Sequence, residues 1–189
     1  MAIEIDTQHV GERGFTLVEL IITLTIAALL ATVAVPSFMT IINNNRATSI
    51  TNSLITDLHL ARSEAIKRVQ TVTLCKTVTT ADSIRCDEDA PWENGWAIFV
   101  DTNGDEIVDL DDGDTVLRIQ GPLAETVVLD YNGPIQFIDF LPSGRTNNRF
   151  GAFSFCNPDN TVIRQIIINN TGRVRSEKEV AHFTETSCS

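Results

Sequence analysis

Positive charge is scarce in this chain. Fourteen lysines and arginines face 25 aspartates and glutamates, a formal net charge of −11. A chain so acidic is not a general nucleic-acid coat, because phosphate binding needs concentrated positive charge; a local basic patch stays open. The three histidines, His9, His59 and His182, have no evident nucleophile or acid partner. The sequence also lacks a G-x-S-x-G elbow, a P-loop, a dinucleotide fingerprint and an H-E-x-x-H zinc motif. No catalytic residue is therefore assigned, and neither metal nor cofactor is expected. Internal repeats and low-complexity stretches are missing too. What is present is apolar: 43% of the 189 residues are hydrophobic, enough for a core and too many for disorder. The length fits one membrane segment and one modest domain.

The apolar residues are unevenly spread. Phe15 to Val35 reads FTLVELIITLTIAALLATVAV, 21 residues with one charge, Glu19. As a helix this run spans roughly 30 Å, the thickness of a bilayer core. A secretory signal peptide is the nearest alternative, but its apolar stretch is shorter and ends in a small-residue cleavage site. Here Ala31, Ala34 and Ser37 are weak candidates, and Pro36 interrupts the pattern. A carboxylate at Glu19 inside hydrocarbon costs about 3 kcal/mol unless it is paired or protonated.

The prefix MAIEIDTQHVGERG ends in Gly14, and Gly14-Phe15-Thr16-Leu17-Val18-Glu19 follows. This junction resembles the class III leader of type IV pilins and pseudopilins, and Pro36 also matches that family. The resemblance implies cleavage after Gly14 by prepilin peptidase, N-methylation of Phe15, and a mature chain from Phe15 to Ser189. On that reading Glu19 pairs with the free amine of Phe15 on a neighbouring subunit; the alternative is a polar residue near the helix end that reaches the interface. The leader departs from the family in charge, with Arg13 its only base beside Glu4, Asp6 and Glu12; orientation follows Lys and Arg rather than net charge.

Beyond Pro36 the pattern turns amphipathic. Ala47, Ile50, Leu54, Leu58, Ala61 and Ala65 form one helical stripe. Asn43, Asn44, Arg46, Asn52, Asp57, Arg62, Glu64, Lys67 and Arg68 are expected on the solvent faces. One helix is thus expected from Phe15 to about Val69, with a bend at Pro36. From Thr71 the texture is β. Strands are expected at 71–75, 96–100, 115–119, 126–129, 135–140, 150–155 and 162–168, separated by Asn-Gly, Asp-Gly and Ser-Gly turns. The fold class is α+β, a long hydrophobic N-terminal helix packed on an antiparallel β-sheet domain. The expected divisions are a leader (1–14), an assembly helix that crosses the membrane (15–36), its amphipathic continuation (37–70) and a β-rich periplasmic domain (71–189).

Leu60 to Arg68 (LARSEAIKR), Val72-Thr73-Leu74-Cys75, and Trp92 with Gly95-Trp96 through Asp101 resemble the GspH/FimT group of minor pilins and pseudopilins. The paired cysteines and Gly172-Arg173-Val174-Arg175 look more like its FimT/FimU pilus branch than its secretion branch. The implied partners are prepilin peptidase, other major and minor pilins or pseudopilins, the inner-membrane assembly platform, membrane lipid and DNA. The implied place is the bacterial inner membrane and then a pilus or pseudopilus.

Arg173 and Arg175 project to one side if their segment is extended, so two guanidiniums face adjacent phosphates. For the FimT branch this implies DNA capture, with Arg164, Lys178, Arg145 and Arg149 able to enlarge the patch. The alternative is surface pairing with Glu177, Glu179 or the acidic loop. Between Asp82 and Asp114 stand twelve acids and one base. Asp101 to Asp112 sets oxygens at positions 1, 3, 5, 9 and 12 of a calcium-type loop. Glu106 stands where the turn needs glycine, and Asp112 where a bidentate glutamate is usual, so the expectation is a solvated acidic hairpin. Trp92 and Trp96 read as packing residues.

Two functions of different class remain: a structural subunit that primes or caps a type IV pilus or type II secretion pseudopilus, and a DNA receptor of a transformation pilus. A signal-anchored binding domain without a filament role is a third.

Four cysteines, Cys75, Cys86, Cys156 and Cys188, all follow the apolar run, and an even number in a periplasmic domain points to disulfides. Of three connectivities, Cys75–Cys86 with Cys156–Cys188 needs the least rearrangement; a zinc site lacks a C-x₂-C pair. Mass spectrometry of unreduced peptides is expected to find these two links. A free Cys156 would contradict the pairing.

Overall fold

Fifty-two residues wind into one helix, α1 (Leu17–Arg68), in a computed structural model that describes residues 15–79, 84–123, 127–133, 137–147, 150–156 and 162–177. Gly14, Arg149, Lys178 and Cys188 lie outside the described residues, as does the side chain of Pro36. The chain divides into two compact units, residues 1–41 and 42–189.

In the first unit α1 is bare. Leu17, Val18, Leu20, Ile21, Ile22, Leu24, Ile26, Leu29 and Leu30 are all exposed, so the apolar residues cover every face rather than one. The threonines among them turn inward on the backbone. Thr23 donates to the Leu20 carbonyl at 2.9 Å, Thr25 to Ile21 at 2.7 Å and Thr32 to Leu29 at 2.7 Å. Local satisfaction of this kind lets hydroxyls sit in an apolar surrounding. Among the described residues no single helix is long and apolar enough to cross a membrane. The pair Leu17–Thr32 and Ser37–Arg68, bent at the intervening break, meets that condition together. The break contains Pro36, whose ring removes a backbone donor.

In the second unit α1 has one buried stripe. Ala47, Leu54, Leu58, Ala61 and Ala65 are fully buried, as the three-and-four spacing requires. Burying Leu54 and Leu58 contributes roughly 1.5–3 kcal/mol each. They meet two antiparallel sheets. The first has the order β2 (Ile84–Cys86), β1 (Thr71–Thr79), β3 (Trp96–Asp101), β4 (Thr115–Gln120), with β6 (Phe137–Phe140) also pairing β1. The second has the order β5 (Val128–Tyr131), β7 (Gly151–Cys156), β8 (Val162–Ile168), β9 (Val174–Glu177). Alternate residues of both, including Leu74, Ile98, Phe140, Phe153 and Ile166, join the helix stripe in one core. Trp92, just before β3, packs edge-on against the second sheet, to Phe153 at 4.8 Å and to Tyr131 at 5.9 Å.

The antiparallel β domain is therefore two sheets. Strands β2 and β9 go beyond the sequence expectation, and β5 runs Val128–Tyr131 rather than 126–129. β2 is three residues long and owes its place to a cross-link: Cys75 and Cys86 form a disulfide with Cα atoms 5.6 Å apart. Cys156 is disulfide-bonded too.

Asp57 corrects the helix reading. Its polar side chain marks it as solvent-facing, but three residues after Leu54 and four before Ala61 it shares the buried face, and it is 0% exposed. The Trp96 indole donates to its Oδ2 at 2.8 Å, and Arg118 Nε on β4 lies 2.8 Å from Oδ1, close but not aligned as a hydrogen bond. A buried carboxylate is tolerated when its oxygens are occupied. Burial pushes its pKa up, against the indole bond and the nearby guanidinium. Because the folded value lies above the unfolded one, the folded chain takes up this proton first as pH falls. The contribution of Asp57 to stability is therefore greatest in acid and declines as pH rises through the raised value. Asp57→Asn keeps an acceptor for the indole and should abolish that dependence in urea unfolding followed across pH. Asp57→Ala leaves a buried N–H unpaired and should cost about 1–3 kcal/mol. An alanine variant as stable as the parent would contradict this role.

Candidate functional site

The N-terminal site is built on the first turn of α1. A threonine followed three residues later by a glutamate is a capping-box sequence, and the structure uses it. The Glu19 amide donates to Thr16 Oγ1 at 3.2 Å, and the Thr16 amide and hydroxyl both donate to Glu19 Oε2 at 3.4 Å. The Glu19 carboxylate thus occupies one backbone donor at the helix start, where the helix dipole favours a negative charge. The bonds are long and the carboxylate is exposed, so it stays open to a further cation. Phe15 beside it is 85% exposed. Thr16 is a residue that sequence reading passed over, although the T-x-x-E spacing was there to find it.

The second site is the arginine segment. Arg173 and Arg175 are exposed, while Gly172 and Val174 between and before them are buried. β9 pairs Val174 with Ile168 and Arg175 with Ile167. Arg175 Nε lies 3.2 Å from Glu177 Oε1 in a surface ion pair, an interaction of small worth. Arg145 is also exposed. Arg164 does not join them: strand alternation sets it with Ile166 and Ile168 on the opposite face of β8 from Ile167 and Arg175. That is a correction to the enlarged patch. Arg149 and Lys178 lie outside the described residues.

Gly172 serves the backbone. Its φ is +72°, and a Cβ there would sit 2.0 Å from the Gly144 carbonyl oxygen. Its amide donates to the Asn169 carbonyl at 2.7 Å. The Gly144 carbonyl accepts from Arg62 Nε at 3.0 Å, and Arg62 Nη2 reaches the Thr171 carbonyl at 3.3 Å. One helix arginine thereby joins the turn before Arg145 to the turn before Arg173. Sequence pattern gives no signal for Arg62 in this role, because its partners are carbonyls 82 and 109 residues away.

The acidic loop is organised rather than loosely solvated. Asp101 and Asp114 are buried. Asp101 accepts from the amides of Gly104 at 2.7 Å and Glu106 at 3.2 Å, and Asp114 from Thr102 at 2.9 Å and Asp109 at 3.1 Å. Burial, with Asp114 and Asp105 nearby, raises the Asp101 pKa, and the two backbone bonds oppose the rise. Val108 packs against the outer face of the first sheet. Glu106 takes φ +65° at the position where the sequence wants glycine. Among the described residues no group of three or more His, Cys, Asp or Glu side chains is arranged to hold a metal ion.

The comparisons with known proteins follow the same division. A family model described as type II transport protein GspH matches residues 51–172. A second, the prokaryotic N-terminal methylation motif, matches residues 11–35. A search of the curated proteins found no match. Among solved structures, the type IV minor pilin FimU of Pseudomonas aeruginosa is similar in two crystal forms. One has 21% identity over 70% of this chain and 89% of FimU, with a TM-score of 0.54. The other has 20% identity over 69% and 91%, with a TM-score of 0.51. These likenesses establish the fold. The minor pseudopilin EpsH of Vibrio cholerae aligns at 18% identity over 70% of this chain and 97% of its own, with a TM-score of 0.49.

Gly172→Ala should lower stability by about 2–4 kcal/mol, from the left-handed backbone and the clash together. Gly113→Ala, where φ is +94° but the space is open, should cost about 1 kcal/mol in the same thermal unfolding assay. Equal losses at the two positions would dismiss the close approach of Gly172 to Gly144.

Proposed function

The chain belongs to the GspH family of pilin-like proteins, and from that membership we propose that it is a minor subunit that primes or caps a type IV pilus or type II secretion pseudopilus. Such subunits are structural, and no chemistry is assigned to it. The observation that carries the reading is the methylation motif over residues 11–35, laid on a helix whose apolar side chains are bare on every face. Prepilin peptidase cuts after Gly14, and Phe15 becomes the methylated terminus. The helix anchors the chain in the inner membrane, with the β domain in the periplasm, until the assembly platform draws it into the filament.

Glu19 supplies the recognition step. In the single chain its carboxylate caps its own helix by accepting from the Thr16 amide and hydroxyl, both at 3.4 Å. In the filament it exchanges these for the Phe15 amine of a neighbour. An ion pair in an apolar surrounding is far stronger than one in water, so the exchange favours the assembled state. Glu19→Ala should be cleaved and methylated normally yet fail to enter filaments, as read by immunoblot of sheared material. Normal incorporation would refute the pairing.

A second reading has its own support. Arg173 and Arg175 stand exposed on one side of β9 with Val174 buried between them, the arrangement for a phosphate clamp. On this reading the subunit contacts DNA from the filament. Binding in a mobility shift should weaken steeply with salt and be lost in Arg173→Gln/Arg175→Gln. Equal retention by that variant would remove the clamp.

A further inference from the structure

The outer face of the second sheet carries a cleft of about 310 Å³ that no step of filament assembly uses. Its residues fall into two rows across the strands. In one, Ala152 on β7 pairs with Ile167 on β8, and Ile167 with Arg175 on β9. Asn132 closes that row: its side-chain Oδ1 accepts from the Ala152 amide at 2.7 Å. In the other row stand Phe150, immediately before β7, then Asn169, then Arg173, whose carbonyl accepts from the Asn169 amide at 3.1 Å. Ala152 and Ile167 beneath the cleft are apolar and almost wholly buried, at 2% and 3% exposed. Phe150 forms a wall and leaves 51% of its surface in water. The two arginines stand on the next strand but one, roughly 10 Å from the aromatic ring's strand.

We infer that this cleft is a nucleobase site and that the DNA it takes is single-stranded, an inference that rests on the DNA reading above. The chemistry divides along the rows. Arg173 and Arg175 are two residues apart on an extended strand, about 6.8 Å, a spacing comparable to successive phosphates of an extended nucleotide chain. The space from the arginines to Phe150 spans a sugar and a base. The base stacks on the exposed Phe150 ring, and the Asn132 NH₂ and the Asn169 amide meet its polar edge. Stacking on an aromatic beside a cationic track is how proteins hold single strands without fixed sequence. A duplex keeps its bases stacked inside, so it uses the arginines and leaves Phe150 idle. The pairing of Arg175 with Glu177 is a surface contact that a phosphate displaces.

The test uses the full mature chain in detergent, with a short fluorescent oligothymidylate and a duplex of equal length as probes. The wild type should bind the single strand more tightly than the duplex. Phe150→Ala should lose about tenfold on the single strand, with duplex affinity and salt dependence unchanged, and Phe150→Trp should restore binding. Arg173→Gln/Arg175→Gln should weaken both probes and flatten the salt dependence. Phe150 is half exposed, so an unchanged melting temperature is expected of its variants. If Phe150→Ala binds the oligothymidylate as the wild type does, the base site is overturned while the DNA reading stands. If the wild type binds neither probe, the DNA reading falls and the base site with it.

Discussion

One helix has to satisfy two surroundings. From Ala47 to Ala65 it buries a single apolar stripe among two sheets, and its other faces are polar. From Leu17 to Ile42 its described large apolar side chains point in every direction and are exposed. An apolar surface of this extent is unstable in water. A lipid bilayer can cover it, and so can a bundle of like helices. The constraint accounts for the internal bonding of Thr23, Thr25 and Thr32, and for the single carboxylate sitting at the helix start, where a backbone donor receives it.

The lower half of the helix also works as a fastener. Asp57 holds the first sheet through Trp96 and Arg118. Five residues further on, Arg62 holds the backbone of the turns that lead into Arg145 and Arg173. The exposed arginines therefore inherit their position from a side chain on α1 and from a glycine that lets two turns approach within contact. The acidic loop is fixed by comparable means, with two buried carboxylates gripping backbone amides and Val108 set against the sheet.

Much of this was legible in the sequence, for definite reasons. The helix and its stripe follow from spacing, and the strands from alternation. The Cys75–Cys86 link is the local one. What escaped were effects of distance. Asp57 looks like an ordinary polar residue until Trp96, 39 residues away, is folded against it. Arg62 looks like a surface charge in a charged helix turn. The division of strands into two sheets depends on which strands pair, and periodicity does not encode that. Arg164 was grouped with Arg173 and Arg175 by composition, whereas strand parity sets it on the other face. Thr16 is legible as the first residue of a T-x-x-E capping box that ends in Glu19.

The central claim is that the bare apolar rod is the processed end of an assembling subunit. N-terminal sequencing of the protein purified from its native membrane tests this most directly. The account predicts a chain that begins at a methylated Phe15; one that begins at Met1, or at any other residue, would contradict it.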